Sequence, residues 1–304
     1  MKLELIYEFP LRGRRSRAVN NHGFCLMDTS DGTGLWTAEG QQLWHRKMDW
    51  PFTCALSNDN LAYVGNRTYS SGPSSLFCMK EQGTLKQRLK LPFGELVNIA
   101  LSPCEESLIA ISNGDDTRPR LYSTTDFATK PAELKKGNRA GYMKRVLWSP
   151  NGEYLLTLAD KSHKTPSLSV AVRDLRIKKG LLWYGFADCA IFTPQNRLIT
   201  WAYGTSDTIK LWELDLETNP EPIAIQHIPH LPLYPIRKMA LVHGGRLALS
   251  MNGRIILLDS ETLEIVGEFS LEAYFEVEPD LTTSADGRFI LCNSGSGSAL
   301  FILA

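Results

Sequence analysis

Apolar and polar side chains alternate through Ile209, Lys210, Leu211 and Glu213, within the run Asp-Thr-Ile-Lys-Leu-Trp-Glu-Leu at 207–214. A period of two predicts a strand with at least one buried face. The triplet Leu211-Trp212-Glu213 has relatives at Leu35-Trp36-Thr37, Leu76-Phe77-Cys78, Leu121-Tyr122-Ser123, Val172-Arg173-Asp174, Leu257-Leu258-Asp259 and Leu300-Phe301-Ile302, seven copies in all. Their second members are separated by 41, 45, 51, 39, 46 and 43 residues. Recurrence at that spacing marks a repeat architecture, in which each unit buries its faces against its neighbours.

Each unit lays out as short strands divided by turn residues. Unit four is the plainest: Val146-Leu147-Trp148 reads as a strand, Ser149-Pro150-Asn151-Gly152 as a reversal, and Tyr154-Leu155-Leu156 as a second strand. The same hairpin recurs at 190–200 in unit five and 239–249 in unit six. Unit one has a weak first strand at 18–19, then strands at 24–27, 34–37 and 42–46. Strands follow at 52–56, 61–64, 75–79 and 85–91 in unit two, and at 97–101, 108–112 and 120–123 in unit three. Unit seven offers 281–284, 289–292 and 299–303, and its fourth strand is missing. An unassigned strand at 3–9 stands at the other end of the sequence. Pairing it with 299–303 completes the last unit and leaves only short, protected sheet edges.

The Ser-Pro-Asn-Gly turn, the Leu-Trp-Glu strand and the period together resemble the WD40-repeat family of seven-bladed β-propellers, over essentially the whole chain. The expected fold is all-β: a seven-bladed β-propeller with four-stranded blades, closed by the N-terminal strand, as one domain over residues 1–304. The sequence departs from the family pattern in two ways. No Gly-His dipeptide precedes the first strands, and the Trp-Asp pair survives only in part, as Trp212-Glu213, Arg173-Asp174 and Leu258-Asp259.

Composition narrows the function classes. Lys plus Arg and Asp plus Glu are 33 each, so nothing pulls the whole chain towards nucleic acid or an anionic membrane. Glu4 and Glu8 interrupt the first residues where a signal peptide needs an apolar run, and no stretch approaches the roughly 18 apolar residues of a membrane span. Cys25, Cys54, Cys78, Cys104, Cys189 and Cys292 are scattered singly, without Cys-x-x-Cys spacing. They read as small buried hydrophobes in a reducing compartment, which makes cytoplasmic the expected location.

Catalytic motifs are sparse. There is no Gly-x-Ser-x-Gly elbow, no phosphate-cradling loop and no dinucleotide fingerprint; Gly295-Ser296-Gly297-Ser298 reads as a turn. His227 and His230 lie in a Pro-rich loop with no third ligand nearby, so no metal and no cofactor is expected.

Loops carry more information, because a rigid ring can vary them without cost to its core. In the WD40-like family the connections from each fourth strand to the next first strand, and from second to third strands, gather on one face, the top. The resemblance sends Arg14, Arg15, Arg17, Lys144, Arg145 and Arg237 there, with rings at Trp50, Phe93, Tyr142, Phe186, Tyr234, Tyr274 and Phe275. Arg and aromatic side chains together have the composition of interface anchors. The function expected from this is a non-enzymatic scaffold holding a protein or peptide partner on the top face, in a multi-subunit assembly. Its expected anchors are Arg14, Arg15, Trp50, Phe93, Tyr142, Arg145, Tyr234 and Arg237. Nucleic acid enters only through the local basic loops. The alternative is a propeller hydrolase or lyase with its active site at the central channel.

Overall fold

In the computed structural model the described residues are 2–9, 17–29, 31–48, 51–66, 74–91, 95–113, 119–134, 143–160, 168–176, 181–202, 208–214, 221–228, 239–251, 253–275, 279–294 and 297–304. Their regular elements form seven four-stranded antiparallel sheets, the blades of a β-propeller. The N-terminal strand β1 is Leu3–Phe9. Blade one is β2 (Arg17–Val19), β3 (Cys25–Asp28), β4 (Gly32–Trp36) and β5 (Gln42–Lys47). Blade two is β6 (Pro51–Leu56), β7 (Ala62–Asn66), β8 (Ser75–Met79) and β9 (Leu85–Lys90). Blade three is β10 (Glu95–Leu101), β11 (Ser107–Asn113), β12 (Arg120–Ser123) and β13 (Ala132–Glu133). Blade four is β14 (Met143–Trp148), β15 (Tyr154–Asp160), β16 (Leu168–Asp174) and β17 (Leu181–Ala187). Blade five is β18 (Cys189–Phe192), β19 (Leu198–Ala202), β20 (Thr208–Trp212) and β21 (Ala224–His227). Blade six is β22 (Met239–Val242), β23 (Arg246–Met251), β24 (Arg254–Asp259) and β25 (Ile265–Ser270). Blade seven is β26 (Asp280–Thr283), β27 (Phe289–Asn293), β28 (Ser298–Leu303) and, as its outer strand, β1.

Two compact units make up the molecule, Met1–Lys136 with Thr282–Ala304, and Gly137–Leu281. In the first unit β1 pairs antiparallel with β28, from Leu3 opposite Leu303 to Phe9 opposite Ser298. This is the pairing expected from the missing fourth strand. Its core lies between blades. Phe9 joins Val19, Cys25, Met27, Trp36, Leu291 and Leu300, and Leu26, Leu35 and Trp44 of blade one pack with Leu56, Val64 and Phe77 of blade two. In the second unit Val170, Val172 and Trp183 of blade four pack with Ala190, Phe192 and Leu198 of blade five, and Ile199, Trp201 and Leu211 of blade five with Leu247, Leu249 and Leu258 of blade six. Stability in such a stack is a sum of blade and neighbour contributions.

Burial explains why alternation shows in some strands only. The strands β3, β4 and β8 are buried at every position because both faces meet another blade. The outer strands β5, β9 and β25 keep the alternating half-wet pattern.

In every blade but the sixth, the turn joining the first two strands uses one device. A Ser, Thr or Asn at the first position folds back on its own turn, as Ser149 Oγ does in accepting the Tyr154 N–H at 2.8 Å. Three residues on, the backbone turns left-handed: Gly23, Gly152 and Gly287 have φ of 72–79°, and Asn60, Glu105 and Asn196 have φ of 59–64°. These turns also clasp neighbours. In the first unit Asp286 N donates to Asn21 Oδ1 (2.9 Å), Asn21 N to Asn58 Oδ1 (3.1 Å) and Asn58 N to Glu105 Oε1 (2.8 Å). In the second, Asn151 N donates to Asn196 Oδ1 at 3.2 Å.

All six cysteines are free thiols, and four are buried. Cys104 differs from expectation: it is exposed, at a turn position beside Ser102 rather than in a core. Among the described residues no helix is long and apolar enough to cross a membrane.

Candidate functional site

Seven of the eight expected partner anchors, Arg14, Arg15, Trp50, Phe93, Tyr142, Tyr234 and Arg237, lie outside the described residues. The eighth, Arg145, is placed not on a loop but inside β14, a strand that begins at Met143, ahead of the Val146 start that the sequence pattern suggested. The register of β14 on β15 shifts between Met143 and Arg145, so Lys144 is bulged and Arg145 faces Leu158. A bulge re-aims the side chain that follows it. Lys144 points to Asp160, with an ion pair of 2.8 Å, and Arg145 is half-buried.

The Arg145 guanidinium electrostatically favours the charged form of the Cys189 sulfur at the start of β18, whereas the neighbouring Asp188 opposes it. Asp188 is 8% exposed, and its backbone N–H donates to Trp201 O at 2.8 Å. Cys189 is fully buried, and burial pushes its thiol up to about 11 despite the arginine. At neutral pH it is a protonated, inert thiol, since the thiolate is the nucleophile. The arrangement therefore presents a fixed positive charge on β14 and a buried carboxylate immediately before β18. A half-buried guanidinium suits planar anions and developing negative charge, and a buried carboxylate can take up a proton.

In the first unit the polar groups of the corresponding strands are occupied with one another. Arg17 and Asp28 face each other at 3.7 Å with side chains 5% and 4% exposed. Thr53 Oγ1 accepts from Asn98 Nδ2 at 3.3 Å and from the Ile99 N–H at 3.1 Å, tying β6 to β10. The basic top face of the sequence reading is thus, at Arg17, Lys144 and Arg145, a set of charges engaged within the fold. Of the expected rings there, Phe275 is buried, Phe186 lies on the outer strand β17 and Tyr274 is 37% exposed. Among the described residues no group of His, Cys, Asp and Glu is arranged to hold a metal ion.

Sequence reasoning missed the association of Arg145 with Asp188 and Cys189. The only available signal was the repeat phase, which sets 145 and 189 at equivalent places in successive blades; the bulge at Lys144 has no sequence mark. In blade five Trp212 Nε1 donates to Thr200 Oγ1 at 2.7 Å, from the third strand to the second.

No protein-family model matches the sequence, and no curated protein sequence matches it. Among solved structures it is similar to hydrazine synthase of Kuenenia stuttgartiensis, with a TM-score of 0.70 and 14% sequence identity, over 98% of this chain and 97% of that one. The expectation of a non-enzymatic scaffold is corrected by the comparison, in which the structural neighbour over nearly the whole chain is an enzyme; on the supposed docking face Arg17 and Lys144 are paired within the fold. At such low identity the likeness speaks to architecture, and together with the seven sheets it makes this protein a seven-bladed β-propeller.

Proposed function

We propose that the protein is a propeller enzyme of the hydrolase or lyase type, in which Arg145 holds an anionic group of the substrate and Asp188 receives or returns the proton. The observation that carries the reading is the end-to-end likeness to hydrazine synthase, a propeller structure that belongs to an enzyme. The surroundings of Cys189 support it locally, because a half-buried guanidinium on β14 and a buried carboxylate just before β18 are groups able to bind charge and move a proton. The partial Leu-Trp-Glu repeat supports descent from a WD40-like propeller, and the six free thiols support a reducing compartment.

The test is a turnover screen of the purified protein against chromogenic esters, phosphates, glycosides and amides, and against substrates whose elimination creates an absorbing double bond. The expected result is turnover of one class, with kcat/KM falling by about a hundredfold in Arg145→Leu. Turnover no greater than that of the heat-denatured protein in every class, or turnover indifferent to Arg145, contradicts the proposal.

A further inference from the structure

The first turn of blade four contains Asn151 followed by Gly152, the pairing of residues in which an asparagine carboxamide is most open to attack by the next backbone nitrogen. In that reaction the Gly152 nitrogen loses its proton and bonds to Asn151 Cγ, the Cγ–Nδ2 bond breaks and ammonia leaves. Water then opens the five-membered imide at one carbonyl or the other, giving aspartate or isoaspartate. Only water is consumed and only ammonia released.

The folded turn opposes each requirement of this step. Gly152 N is engaged as a donor to Ser149 O at 2.9 Å, and φ at Gly152 is 73°. Asn151 Oδ1 accepts from Ser149 Oγ at 2.6 Å and from the Glu153 N–H at 3.1 Å, and Asn151 Nδ2 donates to Glu153 Oε2 at 2.8 Å. The carboxamide cannot swing towards the backbone nitrogen without giving up these bonds.

Blade seven shows what the same turn looks like with a carboxylate in place of the amide. There Ser284 Oγ donates to Asp286 Oδ1 at 2.6 Å and the Arg288 N–H donates to it at 3.1 Å, with Gly287 at φ 72°. The geometry is the same, but the residue two further on has the opposite charge. Arg288 Nε donates to Asp286 Oδ2 at 2.6 Å, where blade four has Glu153 accepting from an amide. An aspartate at 151 would set two carboxylate oxygens against each other across a contact now bridged by N–H. Arg176, already bound to Glu153 at 2.8 Å and to Asp174 at 2.7 Å, would then be shared among three carboxylates.

We propose that Asn151 is a self-modification site, held back by its turn while blade four is folded, whose deamidated product weakens that turn and so fixes any opening irreversibly. The experiment incubates the protein at mildly alkaline pH and follows deamidation at Asn151 by peptide mass mapping, which separates it from the Asn-Gly pairs at 113–114 and 252–253. Asn151 in the folded protein is expected to react at least about tenfold more slowly than in the same protein held in urea, because reaction must wait for local opening. Ser149→Ala, which removes the 2.6 Å donor, is expected to lose most of that protection. Asn151→Asp tests the product directly: its thermal midpoint is expected to fall below that of the unmodified protein, and Asn151→Asp with Glu153→Gln to recover it by restoring an N–H donor. Equal rates in the folded and urea-unfolded protein overturn the protective role. An Asn151→Asp variant as stable as the unmodified protein overturns the charge argument, whether or not Ser149→Ala folds.

Discussion

Leu263 shows how the burial of one residue outweighs backbone strain. Its φ is 64°, in the left-handed region that disfavours a bulky residue, yet it is fully buried in the core shared by blades five and six. Burying a leucine contributes about 2 kcal/mol or more, against about 1–2 kcal/mol for the left-handed backbone, so burial holds the strained conformer in place. Leu263→Ala is expected to cost about 3 kcal/mol in urea unfolding, since it creates the cavity and keeps the strain. Leu263→Gly, which creates the same cavity but relieves φ, should be no worse than alanine, the reverse of the usual order. The tight turn is capped by Asp259, whose Oδ1 accepts the N–H groups of Glu261 and Thr262, both at 2.9 Å. The Glu261 N–H foremost, aided by Thr262, holds its carboxyl below the usual carboxylate range. A lowered folded value means that the stabilisation is present above the unfolded pKa, about 4, and is lost as pH falls through the folded value. The stability gap between the unmodified protein and Asp259→Asn should therefore narrow as pH drops below about 4; a gap independent of pH would remove the ionic contribution. Asp259 was legible in the sequence as a remnant of the Trp-Asp pair. Leu263 was not, because neither it nor its neighbours are residues that ordinarily mark a left-handed turn.

At the scale of elements, β1 is the strand whose loss has the clearest consequence. It is the outer strand of blade seven, and it brings Phe9, 3% exposed, into the core with Trp36, Leu291 and Leu300. Deleting residues 1–9 should leave β28 with a bare edge, lower the thermal midpoint and promote aggregation, measured by scanning calorimetry and light scattering. An unchanged midpoint and a clear solution would mean that β1 does not hold the blade. This strand could be read from sequence because an apolar run at one end matched a vacancy at the other. The outer strands β13, β17, β21 and β25 could not. β13 has two residues, and β21 and β25 carry apolar Ile225, Ile265 and Val266 at exposed positions, so the sequence of apolar residues does not report which face is buried. The bulges near the starts of β6, β10 and β14 were also invisible, since an extra residue in one strand leaves the apolar pattern on either side intact. At β14 that invisibility moved Arg145 from an expected loop to a strand.

At the scale of the whole molecule, equal numbers of acidic and basic residues leave function to local arrangements. The repeat made the seven blades legible, because each copy of the Leu-Trp-Glu triplet reports a strand buried between neighbours. It left the chemistry illegible, because a propeller can carry many activities and the placing of Arg145 and Asp188 near Cys189 depends on register rather than on motif. The proposed catalytic role rests on these two residues. Its most direct test is the kcat/KM of the unmodified protein, Asp188→Asn and the turn-surface control Glu106→Ala, on the substrate class that the screen identifies. Asp188→Asn is expected to lose about a hundredfold or more, as when a proton-transfer group is removed, with Glu106→Ala unchanged. Equal turnover by all three folded proteins would contradict that role.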